Sequence, residues 1–345
     1  MQRFIKKLAI AVIITVLLGL VFIAPCFYIL PYQTGDLGRL GQISFGPYDT
    51  IFKVPSFLYT ENITDYASLH NVEILTIGDS FSQGYTIGYQ NFTGHYLNKK
   101  VSNFRIDGLG SVSTVFTLLE KNMIPNCKII VIESVERYAI NGLSEEPIIS
   151  DGILNNKIIS GTQSIVHPRD TTIRHNVLDF EKLTSYYKNL FNSFSNYKVF
   201  TLSAPLFTAG KYSDKLFIYT SPHDNNNDLS FTNHPEEQIQ KAKDRLYELK
   251  TLGEKYNIQI IYLVAADKYD MYYDYIKDNP YPINPTLSYF SDFDTTFFIN
   301  TKKILLPHIK NGEKDIYRVN DTHWSVKAAE IVGNHLGRII NESKN

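Results

Sequence analysis

From residue 8 to residue 30 the chain carries no charged side chain, and Arg3, Lys6 and Lys7 stand just before that run. No other segment restricts the fold so strongly. At about 1.5 Å of rise per residue, these 23 residues make a helix of roughly 34 Å, enough to cross a ~30 Å hydrocarbon core with some tilt. The positive-inside rule leaves the Arg/Lys flank in the cytoplasm. The expected topology is a cytoplasmic flank and single-pass anchor over residues 1–31, with everything from about residue 32 onward outside the cytoplasm.

Two alternatives remain for this segment. A cleaved signal peptide has the same charged start, although its apolar stretch is normally about 7–15 residues. Ile23-Ala24-Pro25-Cys26 has the outline of a lipoprotein cleavage box, but Pro25 fits it badly. A buried core helix is a poor account, because such helices rarely run this long without a polar face.

Composition excludes several function classes. Lys+Arg 34 against Asp+Glu 35 gives a formal charge of −1, without the basic excess by which nucleic-acid binders neutralise phosphates. Without the three flank cations, 31 basic and 35 acidic side chains remain, so the exported part carries −4. A hydrophobic content of 43%, with 24 Tyr and 21 Phe, supports a sizeable core. With only Cys26 and Cys127 and no Cys-x-x-Cys, neither a disulfide scaffold nor a thiolate zinc site is expected. His95, His167, His175, His223 and His234 show no ligand spacing, and Gly108-x-Gly110 lacks the rest of a dinucleotide motif. No metal and no cofactor are expected.

After a connector over residues 32–69, rich in Gly and holding Pro47, short apolar runs alternate with helical spacing. Val72-Glu73-Ile74-Leu75-Thr76-Ile77 reads as a buried strand that stops at Gly78-Asp79-Ser80. Residues 104–106 are a weaker strand candidate, and residues 128–133 and 258–265 are the third and fourth. Helical spacing covers residues 111–121 and 326–340. Ile/Val-rich strands alternating with helices imply an α/β fold whose parallel sheet is covered on both faces. In such sheets, chemistry gathers in loops at the carboxyl ends of the strands. Between about residues 139 and 235 the alternation lapses. A structureless loop of that length would be unusual, so the segment is either an insertion or lid, or an extension of the sheet by edge strands.

Ser80 lies just after the first of these strands, where a tight turn projects a hydroxyl into a cleft. A serine hydroxyl is a weak nucleophile until a base takes its proton, so a His oriented by a carboxylate should stand elsewhere. Asp321-Thr322-His323-Trp324 precedes the last helical run. The Asp-x-His spacing lets one loop carry both side chains, with Asp321 holding the His323 imidazole in the useful tautomer. Each motif alone is weak. Gly-Asp-Ser occurs in ordinary turns, and Asp-Thr-His could simply cap a helix.

Together these residues resemble the SGNH/GDSL hydrolase superfamily, and within it the membrane-anchored polysaccharide O-acetyltransferase-like (alginate O-acetyltransferase-like) branch. Gly-Asp-Ser-Phe-Ser at 78–82 is similar to its nucleophile block, residues 103–108 to its second block, and residues 321–324 to its Asp-x-His-Trp block. The resemblance covers roughly residues 70–137 and 256–343, together with the anchor. It implies a three-layer α/β/α (flavodoxin-like) domain over residues 70–343, with the insertion at about 139–235. It also implies Ser80, His323 and Asp321 as catalytic residues, and the Ser80 and Gly108 amides as oxyanion donors, with Asp79 in support.

The chain departs from the family pattern where Glu133-Ser134-Val135-Glu136-Arg137 replaces the block that supplies an Asn donor. Arg137 either substitutes a charged hydrogen bond or pairs with a carboxylate such as Glu133 or Glu136. Tyr85, Trp324 and Lys268 are candidate substrate contacts; for Tyr85 and Trp324 the alternative is packing, and for Lys268 a solvated surface position. The activity implied is extracytoplasmic acyl transfer through an acyl-serine, by an O-acetyltransferase acting on a surface polysaccharide. A glycan or lipid acyl esterase and a non-catalytic glycan-binding protein are the alternatives. The implied setting is the bacterial cytoplasmic membrane, with the domain periplasmic or extracellular and an integral-membrane partner delivering the acyl group.

Overall fold

A computed structural model of the chain describes residues 2–28, 55–63, 66–82, 85–105, 111–149, 197–219, 234–319 and 321–342. The uncharged run forms helix α1 (Gln2–Tyr28). Among the described residues it is the one helix long and apolar enough to cross a membrane, with a mean hydropathy of 2.4 over Gln2–Val21 and none of that window buried.

The part of the chain after α1 is built on a six-stranded parallel sheet. Strands β2 (Ile74–Gly78) and β4 (Ile129–Val135) are buried along their whole length, and β7 (Gln259–Ala265) along all but its first residue. That double-sided burial is why the sequence shows them as unbroken apolar runs. Strand β3 (Val101–Arg105) begins earlier than the 104–106 candidate, because buried Ser102 and Asn103 interrupt its apolar pattern. Two three-residue strands, β1 (Thr60–Asn62) and β8 (Phe298–Asn300), close the edges. The order is β1-β3-β2-β4-β7-β8, and every pairing is parallel. Because β1 pairs with β3, the sheet begins inside the expected connector. A strand pairing to one side and the next crossing to the other makes β2 the switch point of the sheet, the place where open parallel sheets bind their ligands.

The crossover after β2 carries helix α3 (Tyr89–Leu97), preceded in sequence by the short α2 (Tyr66–Leu69); that after β3 carries α4 (Ser111–Glu120). Helix α5 (Glu136–Ser144) follows β4 and packs against α6 (Glu236–Tyr256). Short α7 (Lys268–Tyr272) follows β7, α8 (Thr301–Lys310) follows β8, and α9 (Val326–Glu342) closes the chain.

Of the expected insertion, residues 150–196 and 220–233 lie outside the described residues. Its described part forms β5 (Tyr197–Thr201) and β6 (Lys215–Tyr219), paired antiparallel as a separate two-stranded sheet instead of extending the main one. Leu202 bridges to Ile276 and Phe207 packs on Tyr272 with ring centroids 5.3 Å apart, so this hairpin is fixed to the segment after β7.

Helix α9 lies against α3 more extensively than any other helix pair. Gly333 permits this: a Cβ there would stand 2.5 Å from the Tyr89 carbonyl oxygen, and Thr93 Oγ1 donates to the Gly333 carbonyl at 3.1 Å. The loop entering α3 follows Ser80, and the loop entering α9 carries His323. Packing the two helices side by side therefore brings their preceding loops together.

Candidate active site

Ser80 opens a 3₁₀ turn (Ser80–Ser82) immediately beyond β2, at the switch point. Its side chain is half-buried, whereas Ser82 is fully buried and donates its hydroxyl to Glu133 Oε2 at 2.8 Å. The turn is held from several sides. Asp79 accepts from the Phe81 amide at 3.1 Å and the Val135 amide at 2.9 Å, tying the turn to the end of β4. Gln90 and Asn103 both donate to the Ser82 carbonyl, at 2.8 and 3.1 Å.

Gly78 has a steric reason to lack a side chain. A Cβ there would come 2.3 Å from Ser82 Oγ and 2.4 Å from Glu133 Oε2. Gly78→Ala is expected to cost about 3 kcal/mol, the upper end of overpacking penalties. A thermal melt should show a Tm lowered by roughly 6–12 °C for a domain of this size.

Glu133 occupies the position beneath the Ser80 turn, 1% exposed, and also accepts from the Asp79 amide at 3.1 Å. Burial, reinforced by the neighbouring Asp79, pushes its carboxyl well above the ordinary value of 4.5. The folded protein thus holds a proton that the unfolded chain releases above that value, and Glu133 makes stability fall as pH rises from about 4.5 toward its folded pKa. Buried Glu136 acts in the same direction. Glu133→Gln keeps an acceptor for Ser82 and Asp79 without an ionisable group. Melts from pH 4.5 to 8 should show the wild type losing stability relative to this variant as pH rises; parallel curves would refute the buried acid.

Asp321 and His323 meet within one loop. The imidazole Nδ1–H donates to Asp321 Oδ1 at 2.6 Å and the His323 amide donates to the same oxygen at 2.9 Å. A carboxylate only accepts, so in the neutral imidazole this bond places the proton on Nδ1 and the lone pair on Nε2. Asp321 Oδ2 faces the Arg318 guanidinium at 3.5 Å. Burial alone would raise the Asp321 carboxyl, but the His323 bonds and Arg318 outweigh it and hold it well below the ordinary range.

The two loops touch through Phe81, the residue after Ser80. Its ring lies 4.7 Å from the His323 ring and 4.9 Å, edge-on, from Trp324. Trp324 is 5% exposed and also meets Tyr89 edge-on at 6.1 Å. It takes the packing role, wedging the His323 loop against the Ser80 turn, and leaves no face open for a sugar.

Two other candidates sit away from the expected contacts. Arg137 forms an ion pair with Asp267 across the ends of β4 and β7, not with Glu133 or Glu136. Glu136 instead accepts from the Asp267 amide at 2.9 Å, which orients that partner. Lys268 is 1% exposed and so is neither a cleft lysine nor a solvated one. Its ammonium donates to the carbonyls of Arg318, Val319 and Asp321 at 2.7, 2.9 and 3.0 Å. Gly108 and the Tyr85 side chain lie outside the described residues.

Glu133, Arg318 and Phe81 were not marked as functional by their motifs. Glu133 did leave a signal, as the lone carboxylate closing an otherwise apolar buried run at the active edge. Among the described residues no cluster of His, Cys, Asp and Glu could hold a metal ion. No protein-family model and no curated protein matches the sequence.

Proposed function

We propose that the chain is a membrane-anchored SGNH-type acyl enzyme that transfers an acyl group, in the first instance acetyl, to a hydroxyl of an exported polysaccharide. The observation that carries this is the Asp321–His323 pair, braced through Phe81 and Trp324 against the Ser80 turn at the switch point of the sheet. The parallel strand order from β2 onward suits the three-layer flavodoxin-like arrangement that the motif resemblance implies.

In the proposed reaction, His323 Nε2 takes the proton of Ser80 as Oγ bonds to the acyl carbon. The Asp321 carboxylate balances the imidazolium that forms, and Arg318 helps keep that carboxylate ionised. The proton on Nε2 then passes to the leaving oxygen of the donor, whose bond to the acyl carbon breaks, and acyl-Ser80 remains. In the second half Nε2 deprotonates a sugar hydroxyl, which takes the acyl group and restores Ser80. Helix α1 would hold the domain at the outer face of a bacterial cytoplasmic membrane, next to an integral-membrane partner that supplies the acyl group.

The test is to incubate the detergent-solubilised full chain with p-nitrophenyl acetate, with and without oligosaccharides, and to weigh the sugars by mass spectrometry. Acetylated oligosaccharide supports transfer. If free acetate is the sole product whatever sugar is present, the transferase assignment falls and an esterase takes its place.

A further inference from the structure

We infer that Lys268 is a positioning residue for the catalytic base: it fixes the loop that carries Asp321 and His323, and its removal disables the base without unfolding the domain. This rests on the acyl-enzyme assignment above.

The loop in question has little regular structure of its own. Residues 316–325 double back through the Tyr317–Trp324 bridge, the Ser325 amide on the Ile316 carbonyl at 2.9 Å and the Arg318 amide on the His323 carbonyl at 3.3 Å. Inside that reversal the carbonyls of Arg318, Val319 and Asp321 turn toward one point, and the Arg318 carbonyl also accepts from the Asp321 amide at 3.5 Å. Lys268 reaches all three from the first residue of α7. One ammonium thereby holds the backbone of Arg318, whose guanidinium faces Oδ2, together with that of Val319 and of Asp321 itself.

The base of Lys268 is itself built in. The ammonium stands 5.6 Å from the centre of the Phe207 ring, which belongs to the hairpin segment of the insertion. Thr208 and Leu206 exchange hydrogen bonds with Asp315, just before the loop. Tyr317 donates its hydroxyl to the carbonyl of Ala266, two residues before Lys268, and its amide donates to Tyr272. The insertion, the end of β7 and the His323 loop therefore converge on one lysine. A cation fixed by three acceptors sets loop position more sharply than apolar packing, because each bond is directional. A displacement of about 1 Å at a catalytic group can cost ~10²-fold in rate.

The experiment compares Lys268→Met, Lys268→Arg and Lys302→Met in the full chain. Lys302 makes a buried ion pair with Asp270 at 2.8 Å, two residues after Lys268 on α7, and serves as the control for a buried cation lost from the same helix without a bond to the loop carbonyls. Two quantities are read beside the thermal melt: the rate at which a fluorophosphonate probe labels Ser80, and the far-downfield proton resonance of the His323 Nδ1–H. Lys268→Met should still melt cooperatively, label about 10²-fold more slowly, and lose or shift the downfield proton. Lys268→Arg should recover part of both, and Lys302→Met should lower Tm while leaving both unchanged.

The proposal is overturned if Lys268→Met labels at the wild-type rate with an unchanged proton resonance, if it behaves as Lys302→Met does, or if neither Lys268 variant melts cooperatively. If the wild type itself is not labelled at Ser80, the acyl-enzyme assignment fails, and the His323 resonance still decides whether Lys268 sets that side chain.

Discussion

Ser80→Ala is expected to abolish acyl turnover, lowering kcat on the order of 10⁶-fold, while the melting curve stays close to wild type. The structure separates this residue from the second serine of Gly-Asp-Ser-Phe-Ser. Ser82 is buried and donates its hydroxyl to Glu133, whereas Ser80 is half-exposed at the mouth of the turn. Of the two serines, only Ser80 is open to solvent. Removing His323 should cost about as much, because without the base Ser80 keeps its proton and the two groups act as one unit. The double variant should therefore be no slower than either single variant. Initial rates of p-nitrophenyl acetate turnover for the three variants decide it: losses that multiply would mean that the residues act independently and that the proposed reaction is wrong.

The legible part of the fold was the part whose burial repeats along the chain. β2, β4 and β7 are covered on both faces and so appear as apolar runs, and α9 shows its spacing because one face packs against α3. β1 and β8 were not foreseen, because three residues such as Thr-Glu-Asn are too short to express a period of two; their pairing is decided by neighbours far along the chain. Within the site, the Asp321–His323 bond was legible because its partners are two residues apart. Their approach to Ser80 was expected from the motif resemblance and the edge on which the loops fall; the contact through Phe81 depends on the α3–α9 packing. The partner of Arg137 and the burial of Lys268 were not legible, for one reason. A long cation's sequence position says where its backbone sits, but its head group goes to whichever acceptors the fold leaves unsatisfied. For Arg137 that acceptor was Asp267, and for Lys268 three carbonyls of a loop some fifty residues away.

Asp321→Asn should lower kcat by about 10⁴-fold, the loss seen when the orienting carboxylate of a triad becomes an amide. The local geometry says why a nearly isosteric change is so costly. Asp321 presents Oδ1 to His323 and Oδ2 to Arg318, and both neighbours donate. An amide has one acceptor oxygen for three donors, the His323 backbone amide included, and when that oxygen turns to the guanidinium it leaves both His323 donors. The NH₂ group then faces Nδ1 and forces the proton onto Nε2, where His323 no longer accepts from Ser80. The same variant has a stability signature opposite to that of Glu133. The folded carboxyl of Asp321 lies well below its ordinary 3.8, so its contribution is complete above that value and is lost as pH falls through the folded pKa. Asp321→Asn removes this acid-side dependence, and so should flatten the loss of Tm below about pH 4, whereas Glu133→Gln flattens the loss above about 4.5. Slow acylation together with an unchanged acid limb would mean that Asp321 is protonated in the folded protein and orients His323 as a neutral acid.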